Sequence, residues 1–146
     1  MGQGDTDFTG KRVLVVGGSS GIGNGIAQAF RARGAEVHVW GTRANASDYD
    51  PADGSDLDGL AYQQVDVGDP DAIEAAHVDF DTLDSLVLCQ GTVVYKRGEF
   101  ERAGWGRVMA VNLDSLMHCA NKLKPMLAKA HGSIIIVSSI SGYSAN

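Results

Sequence analysis

Residues 17–23 read GGSSGIG, and this short run of glycine and serine decides the fold. It follows Arg12–Val16, a β-branched run typical of a strand buried on both faces of a parallel sheet. It leads into Ile22–Arg33, where apolar residues recur at helical spacing and Gly34 follows as a stop signal. The sequence therefore predicts a strand, a tight glycine turn and a helix.

The rest of the chain continues this alternation of strands and helices, which implies right-handed crossovers and a parallel sheet. We predict an α/β fold with a doubly wound parallel sheet of the Rossmann type, in the strand order 3-2-1-4-5. The predicted strands are Arg12–Val16, Glu36–Trp40, Leu60–Val67, Leu83–Cys89 and Ser133–Val137. The predicted helices are Ile22–Arg33, Asp69–Ala76 and a long one over about Trp105–Lys129, kinked near its end by Pro125.

Length and charge narrow the possible classes of protein. With 146 residues, 44% of them hydrophobic, we expect a single domain over residues 1–146. A net charge of −6 argues against nucleic acid or anionic membrane as a partner. No apolar run approaches the roughly 20 residues of a membrane span, and the first residues lack a signal pattern. Cys89 and Cys119 have no paired spacing and are expected to be buried thiols, so a cytoplasmic protein is expected.

No metal site is predicted. The polar segment Asn45–Gly59 contains several aspartates, but their spacing does not match a calcium-binding loop, so we interpret it as a solvated surface loop. The four histidines show no metal-ligand spacing.

The glycine turn lies where a doubly wound sheet binds nucleotides. Free amides at the start of a helix carry partial positive charge, so they can hold a pyrophosphate even on an acidic protein. Gly17 supplies unusual backbone angles, Gly21 leaves room for the phosphates, and Gly23 lets helix and strand pack closely. Ser19 and Ser20 add hydroxyl groups. The alternative interpretation is a plain glycine turn.

The end of the second strand bears on the choice of cofactor. An NAD enzyme usually places an acid there, whereas this chain has Gly41-Thr42-Arg43. Because an arginine can pair with a 2′-phosphate, we favour NADP over NAD; Arg43 as a solvated loop cation remains the alternative. Asp66 is placed to reach the adenine, or else to cap the end of the third strand.

Further segments complete a pattern with the glycine loop. Asp66-Val67 ends the third strand, Asn112 lies in a Val-Asn-Leu helix context, and Ser139-Ile140-Ser141-Gly142 follows the last strand. Together with the Gly-x-x-x-Gly-Ile-Gly loop, these segments resemble the short-chain dehydrogenase/reductase family over most of the chain. The expected cofactor-binding residues are Gly17, Ser19, Ser20, Gly21, Ile22, Gly23, Arg43, Asp66, Val67, Gln90 and Gly91.

The resemblance implies hydride transfer between the nicotinamide of NAD or NADP and a small-molecule alcohol or ketone. It implies that Ser139, rather than Ser138, hydrogen-bonds the substrate oxygen, and that Asn112 supports a catalytic lysine through a water-linked relay. Without the family pattern, Ser139 would be a turn former and Asn112 a patch in an irregular helix. The family commonly pairs subunits through this helix, so a homodimer or homotetramer is expected, with Leu116, Leu123 and Leu127 in core or dimer contacts.

The chain also departs from the family pattern. Val16 stands where the family usually has threonine, and Leu88-Cys89-Gln90-Gly91 stands where it usually has Asn-Asn-Ala-Gly. The family's catalytic tyrosine and lysine are not found: Tyr143 follows Ser139 too closely, and a Tyr-x-x-x-Lys motif begun there would run past Asn146. The last strand would be an exposed apolar edge, which proteins normally cover. We therefore expect these residues to be the first part of a longer reductase domain, not catalytically competent alone.

Three functions remain open at this point. The leading one is an oxidoreductase of the short-chain type, and the second is a truncated, noncatalytic nucleotide-binding or assembly module. A third function, that of a methyltransferase, is less well supported, because the glycine loop lacks the acidic residues expected beside a methionine-derived cofactor.

Overall fold

The computed structural model describes residues 7–143, and within them five parallel strands form one sheet in the order β3-β2-β1-β4-β5. This confirms the predicted fold class and strand order. The strands are β1 (Arg12–Val16), β2 (Glu36–Gly41), β3 (Ala61–Gln64), β4 (Ser85–Leu88) and β5 (Ser133–Ile136). The helices are α1 (Gly21–Arg31), α2 (Pro70–Ala75), α3 (Arg102–Met109) and α4 (Ser115–Ala130).

Strand β1 forms the centre of the sheet, paired with β2 on one side and β4 on the other. Val13 and Val15 face a core layer that includes Ala27 of α1. Leu14 and Val16 face the opposite layer, which is built with residues of α2 and α4. Because both faces are covered, Val13 to Val16 are fully buried, as their continuous apolar run predicts.

The third and fourth strands are shorter than predicted. Strand β3 ends at Gln64, although Val65 N still donates to the Gly41 carbonyl at 2.8 Å, and Val65 and Val67 are both buried in the core. The apolar side chains of the predicted strand thus stay buried beyond the end of the paired segment. The short second helix begins as predicted, since Asp69 caps it by accepting a hydrogen bond from Asp71 N at 2.9 Å.

The predicted long helix is interrupted. The predicted helical stretch over about Trp105–Lys129 is present, but a π-helical turn over Ala110–Asp114, which contains Asn112, divides it into α3 and α4. Within the turn, Ser115 Oγ donates to the Val111 carbonyl at 2.6 Å. A π turn inserts one residue into the helical repeat, and it therefore rotates the faces of α4 relative to those of α3.

Of the apolar residues on this helical segment, Leu123 and Leu127 are buried in the core, and Leu116 is half-buried against it. The exposed apolar side chains of the same segment are different ones, including Leu113 and Met117.

Strand β5 lies at the edge of the sheet, as expected. Ile134, Ile135 and Ile136 are 45%, 42% and 56% exposed, so in the described part of the chain neither face of this strand is fully covered. After β5, a 3₁₀ turn spans Ile140–Gly142, and residues 144–146 lie outside the described residues.

The segment Asn45–Gly59 is an irregular, largely exposed loop with two short 3₁₀ turns. Residues 7–143 contain no cluster of acidic, histidine or cysteine side chains suited to a metal ion. None of the described helices has both the length and the apolar character needed to cross a membrane.

Candidate functional site

A cleft of about 730 Å³ lies at the carboxyl ends of the strands, where α/β sheets of this type bind ligands. The predicted site residues that line this cleft are Gly17, Ser19, Ser20, Ile22, Gly23, Asp66, Val67, Gln90, Gly91, Asn112 and Ser139. Gly21 forms the first position of α1, beside the lining residues. Arg43 lies next to the lining residue Thr42 but is not itself part of the wall.

The glycine loop is packed so closely that three of its positions, Gly17, Gly18 and Gly23, exclude any side chain. Gly17 has a φ of +75°, and a Cβ there would come within 2.8 Å of Gln90 N. A Cβ at Gly23 would lie well inside van der Waals contact with the Gly17 carbonyl oxygen. Gly21 differs, because nothing lies within 4 Å of its Cβ position and its φ is +53°. The loop is thus closed toward the protein and open toward the cleft.

The first turn of α1 presents free donors to this opening. Ser20 is the N-cap residue, but its side chain makes no capping hydrogen bond, and the first turn has no acidic residue. The amides at a helix start then keep their partial positive charge for a ligand. Ser19 is buried at the base of the cleft, whereas Ser20 is exposed.

Asn24 supports the glycine loop from inside α1. It is only 3% exposed, and its Nδ2 donates to the carbonyls of Gly18 at 3.2 Å and Asp56 at 2.7 Å. Its Oδ1 accepts from Asp56 N at 3.0 Å. Sequence reasoning missed this residue, although a polar side chain between Gly23 and Gly25 on the inner face of a helix was an available signal.

The end of the cleft beside β3 contains an ion pair that sequence reasoning also missed. Arg107 Nη1 lies 3.3 Å from Asp66 Oδ1, and both residues line the cleft. Asp66 Oδ1 also accepts from Gly68 N at 2.9 Å, the local contact expected of a strand-end cap. Since the Asp66 side chain is about half exposed, its carboxylate remains open to a ligand.

The loop after β2 holds Arg43 in an unexpected position. The Arg43 guanidinium lies over the Tyr49 ring, 4.6 Å from its centroid, and donates to the Asp48 carbonyl. Tyr62 Oη donates to the Arg43 carbonyl. Arg43 is therefore tied to its own loop.

The loop after β4 is joined to the π turn by a two-point contact. Asn112 Oδ1 accepts from Thr92 N at 2.8 Å, and Asn112 Nδ2 donates to the Thr92 carbonyl at 2.9 Å. Gln90 Nε2 donates to Ser115 Oγ at 2.8 Å, whereas Gln90 Oε1 is buried without a partner among the described residues. The side-chain amide of Asn112 thus positions the cleft wall.

Ser138 and Ser139 line the opposite end of the cleft. Ser139 Oγ accepts from Ser141 N at 3.1 Å, so this serine caps the short 3₁₀ turn that follows it. Tyr143 is 91% exposed and is not a lining residue.

The two thiols differ in burial. Cys119 is fully buried, and burial raises its pKa to about 12. Cys89 is half-buried in the cleft wall, where burial also raises its pKa. The expectation of a buried thiol is confirmed for Cys119 alone.

Comparison with known proteins gives a consistent result. The family described as short chain dehydrogenase matches residues 11–146. The chain is 32% identical to the 3-oxoacyl-(acyl-carrier-protein) reductase FabG of Chlamydia muridarum, over 90% of this chain and 56% of that protein. It is 33% identical to nodulation protein G of a Rhizobium species, over 96% of this chain and 59% of that protein.

Among solved structures, the RhlG/NADP active-site complex of Pseudomonas aeruginosa superposes with a TM-score of 0.79 at 28% identity. The match covers 97% of this chain and 59% of that one. The chain thus spans somewhat more than half the length of the relatives that it matches.

Proposed function

The chain belongs to the short-chain dehydrogenase family, and from that premise we propose that its cleft binds a nicotinamide dinucleotide, NADP in preference to NAD, for an oxidoreductase. Members of this family generally bind NAD or NADP, and one structural neighbour is an NADP complex. The observation that carries the proposal is the glycine loop: packed shut against Gln90 and α1, it opens an uncapped helix start into a 730 Å³ cleft.

The roles of the individual residues follow from their places in the cleft. We propose that the amides of Gly21, Ile22 and Gly23 hold the bridging diphosphate, since their face of α1 is open. Asp66 accepts a hydrogen bond from the adenine amino group, with Val67 beside it in the wall. Arg107 holds the Asp66 carboxylate in place through their ion pair.

Further roles are proposed for the opposite end of the cleft. Gln90 and Gly91 line the path from the diphosphate toward Ser139 and would contact the nicotinamide half. Asn112 fixes that path by clamping Thr92. Ser139 donates its hydroxyl proton in a hydrogen bond to the substrate oxygen, a small-molecule carbonyl or alcohol. When bound, the nicotinamide supplies or accepts a hydride at the substrate carbon.

Hydride transfer is proposed for the whole protein and not for this chain alone, because the chain spans 56% of the length of its reductase relative from Chlamydia muridarum. We propose that residues 1–146 act as a single NAD(P)-binding domain. This domain binds the cofactor and contributes one substrate contact, Ser139. Homo-oligomerisation through the α3–α4 segment is part of the same proposal, and the exposed Leu113 and Met117 are the residues available for it.

The test is a calorimetric titration of the protein with NADP⁺, NAD⁺ and S-adenosylmethionine in parallel. We expect NADP⁺ to bind most tightly, NAD⁺ more weakly and S-adenosylmethionine not at all. Binding of S-adenosylmethionine alone would contradict the proposal. If the dinucleotides bind but the full-length protein oxidises none of a panel of alcohols and reduces none of a panel of ketones, the noncatalytic nucleotide-binding module is the better description.

A further inference from the structure

A small polar niche lies at the end of β2, formed by the backbone amides of Thr42 and Arg43 and the hydroxyl of Ser19; we term it the β2-end niche. Tyr49 Oη accepts hydrogen bonds from Thr42 N at 3.1 Å and Arg43 N at 3.2 Å. A Cβ at Gly41 would come within 2.5 Å of both Ser19 Oγ and Tyr49 Oη, so the missing side chain lets the two hydroxyls meet there. One phenol oxygen therefore fills a space surrounded by donors.

The donors around this oxygen favour negative charge. Burial raises the pKa of the Tyr49 phenol, but hydrogen bonds, among them those from Ser19 and the amides of Arg43 and Thr42, outweigh burial, and the pKa lies below its ordinary value. An oxygen site that stabilises an anion is also suited to a phosphate oxygen.

Tyr49 also restrains the nearby cation that could pair with a phosphate. The Arg43 guanidinium lies against the Tyr49 ring at 4.6 Å from the centroid. Tyr49 thus occupies the two backbone amides that would bind an anion at this corner of the cleft. The Arg43 guanidinium that would pair with the anion is held by the Tyr49 ring and the Asp48 carbonyl.

We propose that Tyr49 is a specificity-determining residue that plugs the 2′-phosphate position: NADP enters only by displacing its hydroxyl, whereas NAD binds with the plug in place. This rests on the proposed function, namely that the cleft takes a nicotinamide dinucleotide with its adenosine half toward β2. Displacing the Tyr49 hydroxyl lowers the affinity for NADP. Once Tyr49 has moved, the Arg43 guanidinium is free to pair with the 2′-phosphate, and this pairing offsets the loss.

The surrounding loop allows this displacement. Asn45 N donates to Asp48 Oδ2 at 2.8 Å, so the 3₁₀ turn before Tyr49 is held by its own local hydrogen bonds. Apart from the half-buried Ala46 and Tyr49, residues 42–50 are exposed. Moving this loop therefore disturbs little of the core.

The experiment compares Tyr49→Phe with Tyr62→Phe by calorimetric titration of each variant and the unaltered protein with NADP⁺ and NAD⁺. The control removes a neighbouring phenol, whose oxygen lies 3.4 Å from Tyr49 Oη and bonds to the Arg43 carbonyl instead of the niche amides. In Tyr49→Phe, water would occupy the niche, and water is displaced more easily than a tethered side chain. We expect the affinity for NADP⁺ to rise roughly tenfold, as for the loss of about one competing hydrogen bond, with NAD⁺ unchanged within about twofold.

The outcomes separate this inference from the proposed function. An increase in the NADP⁺ to NAD⁺ affinity ratio for Tyr49→Phe but not Tyr62→Phe supports the plug. An unchanged ratio overturns it while leaving the proposed function intact, and so does a loss of NADP⁺ affinity, which would make Tyr49 a phosphate ligand. If the unaltered protein binds neither dinucleotide, the proposed function fails and the plug with it. Thermal unfolding of both variants checks that each remains folded.

Discussion

The two ends of the cleft are supported in different ways. At one end, the glycine loop is held between buried strands and α1, with Asn24 3% exposed beneath it. At the other end, Ser139 follows the exposed edge strand β5 and relies on one local hydrogen bond to Ser141. Sites on well-packed elements hold their geometry better than sites on loops. The glycine-loop end, where we propose that the diphosphate binds and which we call the phosphate end, is thus defined by packing. The other end, which we call the serine end, is defined by one strand pairing and one turn.

Substitution at Gly23 should have the largest effect, because it forces a Cβ against the Gly17 carbonyl oxygen. For Gly23→Ala we expect roughly 3 kcal/mol of destabilisation and about a 100-fold loss of NADP⁺ affinity, the upper range for overpacking. Chemical denaturation and calorimetric titration measure the two effects.

The matched control is Gly25→Ala, two residues further along α1, where nothing lies within 4 Å of the Cβ position. Replacing a helical glycine by alanine at an open position should stabilise the protein by about 0.5–1 kcal/mol. If the two variants have the same stability and the same affinity for NADP⁺, the close approach of helix and strand at Gly23 does not shape the site.

The next effect should come from Asn24, which connects α1 to the glycine loop and to Asp56. For Asn24→Ala we expect a loss of about 2–3 kcal/mol, since buried backbone groups lose their partners. Urea unfolding gives the free energy. Gln28→Ala is the control: its amide bonds the same Asp56 carbonyl at 2.8 Å but at an exposed site, and should cost less than about 1 kcal/mol. If both cost the same, burial is not what makes the phosphate end rigid.

The smallest effect on stability should come from Ser139. For Ser139→Ala we expect a loss of no more than about 1 kcal/mol, the value of a single capping hydrogen bond, and NADP⁺ affinity within about twofold. In the full-length protein the same change should lower kcat strongly while leaving cofactor binding intact. A large drop in stability would mean that the serine end is packed as firmly as the phosphate end.

The fold was predictable because its signals are local and repeated. Arg12–Val16 is apolar after its first residue, and the glycine turn after it is followed by a periodic helix, so strand order followed from the handedness of crossovers. The π turn was not predictable from spacing, because the buried residues Val111, Ser115 and Cys119 follow one another at intervals of four.

Much of the candidate site was predictable for the same reason, since the cleft brings together residues that end neighbouring parallel strands. The Tyr49–Arg43 contact was not, because its loop has no periodicity and its conformation depends on donors from Ser19 and β2. The Arg107–Asp66 pair joins residues far apart in sequence and depends on the placement of α3 beside the end of β3. Such contacts arise from tertiary placement and leave no pattern in the sequence.

The central claim is that open amides at the start of α1 hold the diphosphate of a dinucleotide. Its most direct test is an amide nitrogen–proton NMR titration of the protein with NADP⁺. We predict that the resonances of Gly21, Ile22 and Gly23 move furthest and saturably, while those of Gly25 and of Ser133, at the end of β5 away from the cleft, stay in place. Binding that leaves these three amides unmoved would contradict the account.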